Sequence, residues 1–113
     1  MCAFSGEFDV EPSEFELEAT RFIVRDREVA FEMSGSDDEG KFSIEGIVPL
    51  VTPNASAPTR LPYHYHGWND TYYAVIDIQE IFIVDEYCEI RGEWGQDGVL
   101  WVFKGRLAPY GVQ

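Results

Sequence analysis

Cations are scarce in this chain: 8 Lys and Arg stand against 21 Asp and Glu, and the formal net charge is -13. A deficit of that size repels a phosphate backbone or an anionic lipid surface, so neither nucleic acid nor membrane is expected as a partner. Cysteine is almost absent, with only Cys2 and Cys88, and no disulfide framework is indicated. Long hydrophobic runs are missing as well. The stretch "YYAVI" at 72–76 is typical, far short of the roughly 20 residues a membrane helix needs. No serine lies in a nucleophile-elbow context and no glycine-rich loop precedes a helix, so the common signatures of hydrolases and nucleotide-binding proteins are lacking. The opening "MCAFSGEFDVEP" has no basic start and no apolar h-region, and the expected location is cytoplasmic. Helical periodicity is nearly absent too.

What is present is an apolar supply spread along the whole chain. Of 113 residues 45% are hydrophobic, including 8 Phe, 6 Tyr and 3 Trp, which suits one domain over 1–113 with one core. The recurrent period is two. In "EFELEA" Phe15, Leu17 and Ala19 face one way and Glu14, Glu16 and Glu18 the other, as in a half-buried strand. Near Thr20 the phase slips by one residue, because Phe22 and Val24 continue the apolar set, and a bulge is expected there. Across "VRDREV" a hairpin pairs Val24 with Val29 and Phe22 with Phe31. That register also places Arg25 beside Glu28 and Arg21 beside Glu32.

The acidic "SGSDDEG" at 34–40 reads as a turn into a strand on which Phe42, Ile44, Val48 and Leu50 share a face, interrupted by Gly46. "VTPNASAPTRLP" holds three prolines and no periodicity, and reads as one long irregular connection where a functional loop would lie. From Asp70 to Arg91 no Gly or Pro occurs in 22 residues. As one strand this would run about 70 Å, far too long for the domain, so it must turn. "VDEY" at 84–87 is the first choice and "DIQE" at 77–80 the second, with a short helical turn as another option. Around "GQDG" a hairpin pairing Trp94 with Val99 puts Gly92 opposite Trp101, Gly105 opposite Cys88 and Glu89 opposite Lys104.

Together these segments predict an all-β domain, an antiparallel meander of about seven or eight strands closed as a small calycin-like barrel, with a two-layer sandwich as the alternative. The stretch "GEWGQDGVLWVFKGRL" resembles strands of lipocalin-like and avidin-like barrels.

Three candidate sites follow. In "LPYHYHGWND" His64, His66 and Trp68 share one side of a strand, with Leu61, Tyr63 and Tyr65 on the other. Imidazoles two residues apart can share a divalent metal, with Asp70 or an acid from another strand as a third ligand. The spacing is similar to the first metal motif of cupins, but Asp70 stands where cupins carry Glu, the flanking glycines are missing, and no third histidine exists. Without metal, the tyrosines face the core and the histidines the solvent. The second candidate is an aromatic ligand pocket of Tyr65, Tyr72, Trp94, Trp101 and Phe103, whose bland counterpart is simple core, with Cys88 inert beside it. The third is an acidic surface, Glu14, Glu16 and Glu18 with Glu89 and Glu93, that could steer a basic protein partner as inhibitors, immunity proteins and nucleic-acid mimics do. Its counterpart is solubility and protection of strand edges. The expectation carried forward is a non-enzymatic acidic binding domain without cofactor, monomer or homodimer. A small-molecule barrel with a metal at His64, His66 and Asp70 is the alternative.

Overall fold

The computed structural model describes residues 2–109, with side chains from residue 3. The chain forms β1 (Cys2–Glu11), β2 (Glu16–Val24), β3 (Glu28–Asp37), β4 (Gly40–Thr52), β5 (Ala55–Ser56), β6 (Thr59–Tyr65), β7 (Tyr72–Val84), β8 (Tyr87–Gln96) and β9 (Val99–Pro109). The sheet order is β3-β2-β1-β9-β8-β7-β6-β4-β5, and a further β3–β4 pairing closes it. The result is an eight-stranded antiparallel meander barrel, with the two-residue β5 as an appendage of β4. The sandwich alternative is thereby set aside. Closure leaves no free sheet edge around the ring. Among the described residues no helix is long and apolar enough to cross a membrane.

Alternation fixes which residues fill the barrel. Leu17, Ala19 and Phe22 on β2, Val29, Phe31 and Met33 on β3, and Phe42, Ile44 and Val48 on β4 are all buried. The slip at Thr20 is a bulge between Ala19 and Arg21, and the hairpin after it pairs Val24 with Val29 and Phe22 with Phe31. Its charges meet as the sequence suggests: Arg25 approaches Glu28 at 2.6 Å and Arg21 approaches Glu32 at 3.9 Å. The turn after β7 falls at "VDEY", where Asp85 and Glu86 take positive φ of 51° and 75°. The second-choice "DIQE" holds a bulge instead, between Ile78 and Glu80.

Two expectations are corrected. The proline-rich stretch is not one irregular connection, because β4 continues to Thr52 and β6 begins at Thr59. Pro53 sits in a turn with Asn54, and Pro62, which has no N–H, stands where β6 has no β4 partner. The segment between covers part of β7 that β6 does not reach, since β6–β7 pairing ends at Thr59 and Ile76. There Ile78 N–H donates to Ser56 Oγ at 2.9 Å, and Asn54 Nδ2 donates to the Ile81 carbonyl at 2.6 Å.

The second correction concerns the last hairpin. Trp94 lies opposite Trp101 rather than Val99, and Gln96 opposite Val99. A two-residue turn decides it: Asp97 and Gly98 both take positive φ, 52° and 78°, as an Asp-Gly hairpin turn requires. The shift is by two residues, so every side chain keeps its face while partners change. Gly92 now faces Phe103, Gly105 faces Ile90 and Glu89 faces Arg106. Both glycines are demanded by close approach. A Cβ on Gly92 would lie 2.5 Å from Phe103 Cζ, and one on Gly105 would lie 2.6 Å from the Glu7 carbonyl.

On the outside, β7 and β8 bring two acids together. Asp77 is the cross-strand partner of Glu93. Burial, then the Glu93 charge, raises the Asp77 carboxyl above its ordinary value of 3.8. The folded state therefore holds this proton more tightly than the unfolded chain, and stability falls as pH rises from about 3.8 through the raised value. Asp77→Asn is expected to raise Tm at pH 7 by about 2–4 °C, from a like-charge cost near ~0.5 kcal/mol. The gain should vanish at pH 3, and thermal melts at both pH values check it.

Candidate functional site

The meander places the turns after β1, β3, β6 and β8 at one end of the barrel, and aromatic side chains gather there. Trp94 is 2% exposed and packs against Tyr63, Phe42 and Phe15 at centroid distances of 5.3, 5.7 and 5.4 Å. Phe15, entering β2, also meets Trp101 at 5.7 Å and closes the end over Trp94. Above these rings opens a cleft of about 390 Å³. Phe15, Phe42, Tyr63, Tyr65, Trp94 and Trp101 line it below, and Glu14, Asp37, Asp38, Glu39 and Asp97 line it above. Among the described residues no Lys, Arg or His takes part. The volume is that of a small-ligand site.

Hydrogen bonds hold the walls. Trp94 Nε1 donates to Gln96 Oε1 at 3.2 Å, and Gln96 Nε2 donates to Tyr63 Oη at 2.5 Å. Tyr65 Oη donates to Asp37 Oδ2 at 2.5 Å. An indole N–H can only donate and a carboxylate can only accept, so Trp94 fixes Gln96 Oε1 as an acceptor and Asp37 fixes the Tyr65 hydroxyl as a donor. The other Asp37 oxygen, Oδ1, accepts the Glu39 N–H at 2.8 Å. Across the cleft, Trp101 Nε1 donates to Glu14 Oε1 at 2.7 Å. Both carboxylates are thus aimed by neutral donors, which fix their geometry without cancelling their charge. Burial raises both tyrosine hydroxyls, and for Tyr65 the bond to Asp37 adds to it. Neither phenol ionises near neutral pH.

A larger open groove of about 980 Å³ continues from the cleft down β1, β2 and β3. Glu7, Asp9, Glu14, Glu16, Glu18 and Asp37 line it, with Lys41 and His66. Glu7 and Glu18 are direct cross-strand partners. Glu16 and Glu18 accept from Ser36 Oγ and Ser34 Oγ at 3.2 and 3.3 Å, again from neutral donors. Among the described residues the ion pairs are those of Arg21 and Arg25, neither of which involves a carboxylate of the cleft or groove.

The candidates from sequence are redistributed. Tyr65, Trp94 and Trp101 line the cleft. Phe103 lies deeper, with no exposed surface, against Phe8 at 5.1 Å. Tyr72 packs on Tyr63 and Tyr65 but lines a different, outer depression with Tyr73 and Arg60. The barrel interior below the cleft is filled by side chains such as Phe22, Phe103, Met33 and Ile76. Glu14, Glu16 and Glu18 stay together on the groove, whereas Glu89 and Glu93 sit on β8, separated from β2 by β1 and β9. Glu89 there shares its surroundings with Arg91, Lys104 and Arg106.

The metal set is not brought together. β6 ends at Tyr65, and the turn at His66 and Gly67, with Gly67 φ of 84°, breaks the alternation that would align the imidazoles. His64 is exposed on β6 opposite Ser43, His66 gives its N–H to the Lys41 carbonyl, and Asp70 is exposed beyond the turn. Among the described residues no group of three His, Cys, Asp or Glu side chains could hold a metal ion. The same turn swings Trp68 away from the histidine side and onto the Tyr65 ring at 4.9 Å.

Sequence reasoning assigned none of Phe15, Asp37, Asp38, Glu39, Phe42, Tyr63 and Gln96 to a site. Phe15, Phe42 and Tyr63 carried a local signal, their places in inward-facing sets; the others converge only on closure. No family model, no curated protein and no solved structure matches the chain.

Proposed function

We propose that this protein is a non-enzymatic binding domain for a basic protein partner, which it meets at the acidic end of the barrel and along the β1–β2 groove. The observation that carries the reading is the carboxylate rim of an aromatic cleft that, among the described residues, no cationic side chain lines. Like charges held together cost stability, and the direct Glu7–Glu18 pairing is such a cost within the same surface. A cationic partner relieves it on binding. Its field also steers a basic surface toward the cleft before contact.

Steering of this kind is screened by salt. Raising ionic strength from about 0.1 to about 1 M shortens the screening length from about 10 to about 3 Å. A Lys/Arg-rich peptide of about twelve residues should bind at low salt, with affinity falling at least tenfold over that range and association slowing most. Fluorescence anisotropy of the labelled peptide measures both. A peptide of the same length with the cations replaced by Gln and Ser should not bind; equal binding by the two would overturn the reading.

A further inference from the structure

A rim of carboxylates attracts any cation, but the cleft beneath it is more selective. Three features narrow the class. Its floor is aromatic, with Phe15 and Trp101 only partly buried and therefore reachable from the cleft. Its two best-fixed carboxylates are tied to different strands: Glu14 to Trp101 on β9, and Asp37 to Tyr65 on β6. Each is held by neutral donors, so its charge stays available. A compact ammonium is strongly hydrated and gains little from the flat rings. A guanidinium is planar and weakly hydrated, stacks on aromatic faces, and carries five donors that can serve two carboxylates at once. The same molecule shows this packing in two other places, with Arg60 3.8 Å above the Tyr73 ring and Arg106 4.2 Å above the Tyr87 ring.

We propose that the cleft is a guanidinium clasp: one arginine side chain of the basic partner enters above Phe15 and Trp101 and donates to Glu14 and Asp37. This rests on the reading of the protein as a partner-binding domain and names the group it recognises. The rest of the acidic groove then supplies attraction, and the clasp supplies register.

The test uses the intact protein and N-acetyl-arginine amide, with indole emission from Trp94 and Trp101 as the signal. A saturable change is expected with the arginine amide and none with N-acetyl-citrulline amide, which keeps the shape and loses the charge. N-acetyl-lysine-type amides bearing a free ε-ammonium should bind at least about threefold more weakly, the margin left by the lost stacking and fork. Glu14→Gln retains the acceptor for Trp101 and should weaken arginine binding about tenfold. Asp37→Asn, which retains one of two acceptor oxygens, should do the same, its folding checked by thermal melt. If that variant does not fold, Glu14→Gln alone carries the test. The exposed pair Glu45→Gln with Glu80→Gln removes charge far from the cleft and should leave binding unchanged.

Equal binding of arginine and citrulline amides, tighter binding of the lysine amide, or no saturable signal with any of them would overturn the clasp. The broader reading fails separately. A wild-type protein that binds the basic peptide in a salt-sensitive way, with Glu14→Gln and Asp37→Asn having no effect, loses the clasp and keeps the partner surface. Absence of any salt-sensitive peptide complex removes the surface itself.

Discussion

Replacing Phe103 with alanine should lower the free energy of unfolding by about 3–5 kcal/mol, a large part of the ~5–15 kcal/mol that holds a domain together. The ring has no exposed surface and packs edge-on against Phe8 at 5.1 Å. It also fills the space left by Gly92, where an added Cβ would come within 2.5 Å of its Cζ. Deletion therefore loses burial and opens a cavity between β8, β9 and β1 beside Gly92. Urea denaturation should show a lower midpoint with an unchanged slope, as for a chain that still unfolds in one step. The converse change is informative as well. Gly92→Ala should cost about 1–3 kcal/mol by overpacking, and its cost should shrink when Phe103 is already leucine, because the two sites share one volume. Were Gly92 opposite Trp101, as the Trp94–Val99 register has it, the coupling would appear with Trp101 instead. A double-mutant cycle on each pair decides between the registers, and a loss below ~1 kcal/mol for Phe103→Ala would contradict the packing.

That hairpin shows where sequence reasoning reaches its limit. Period-two patterning separates the faces of a strand, and it does so correctly for β8 and β9. A slide of two residues preserves both faces, so patterning cannot detect it. Only the turn can, and the Asp97-Gly98 pair outweighs a wider loop around "GQDG". The β2–β3 hairpin was legible because it carried a second constraint. Arg25 with Glu28 and Arg21 with Glu32 match in one register alone. The proline stretch misled for the opposite reason: each proline sits where no strand N–H is demanded of it, a property of the neighbours rather than of the stretch.

The cleft was legible in its floor and hidden in its rim. Tyr65, Trp94 and Trp101 are inward residues of strands, and alternation finds them. Asp37 ends β3, Gln96 ends β8 and Glu14 precedes β2, so they meet only because the barrel closes and brings four turns to one end. Glu89 and Glu93 failed to join Glu14, Glu16 and Glu18 by the same logic. Acidic residues that look like one population along the chain are divided by two intervening strands.

If the rim exists for a partner, stability and binding should move in opposite directions when it is neutralised. Asp38→Asn, Glu39→Gln and Asp97→Asn together remove three charges from the cleft and leave its aromatic floor, Glu14 and Asp37 intact. Asn is at home in the positive-φ turn position held by Asp97 and retains the hairpin. Relief of like-charge repulsion should raise Tm by a few degrees, since ~0.5 kcal/mol corresponds to about 2–4 °C in a domain of this size. Affinity for the basic peptide should fall. At roughly 0.5–1 kcal/mol per exposed rim charge, three charges correspond to a loss of about 10- to 100-fold. The loss should lie mainly in the association rate, because these groups attract at a distance, while Glu14 and Asp37 hold the bound cation and govern its release. Stopped-flow association and a thermal melt on the same sample test both halves. A variant that melts higher and associates more slowly identifies the rim as a surface kept for binding at the expense of the fold. One that melts higher and binds as before reduces it to a solubility device.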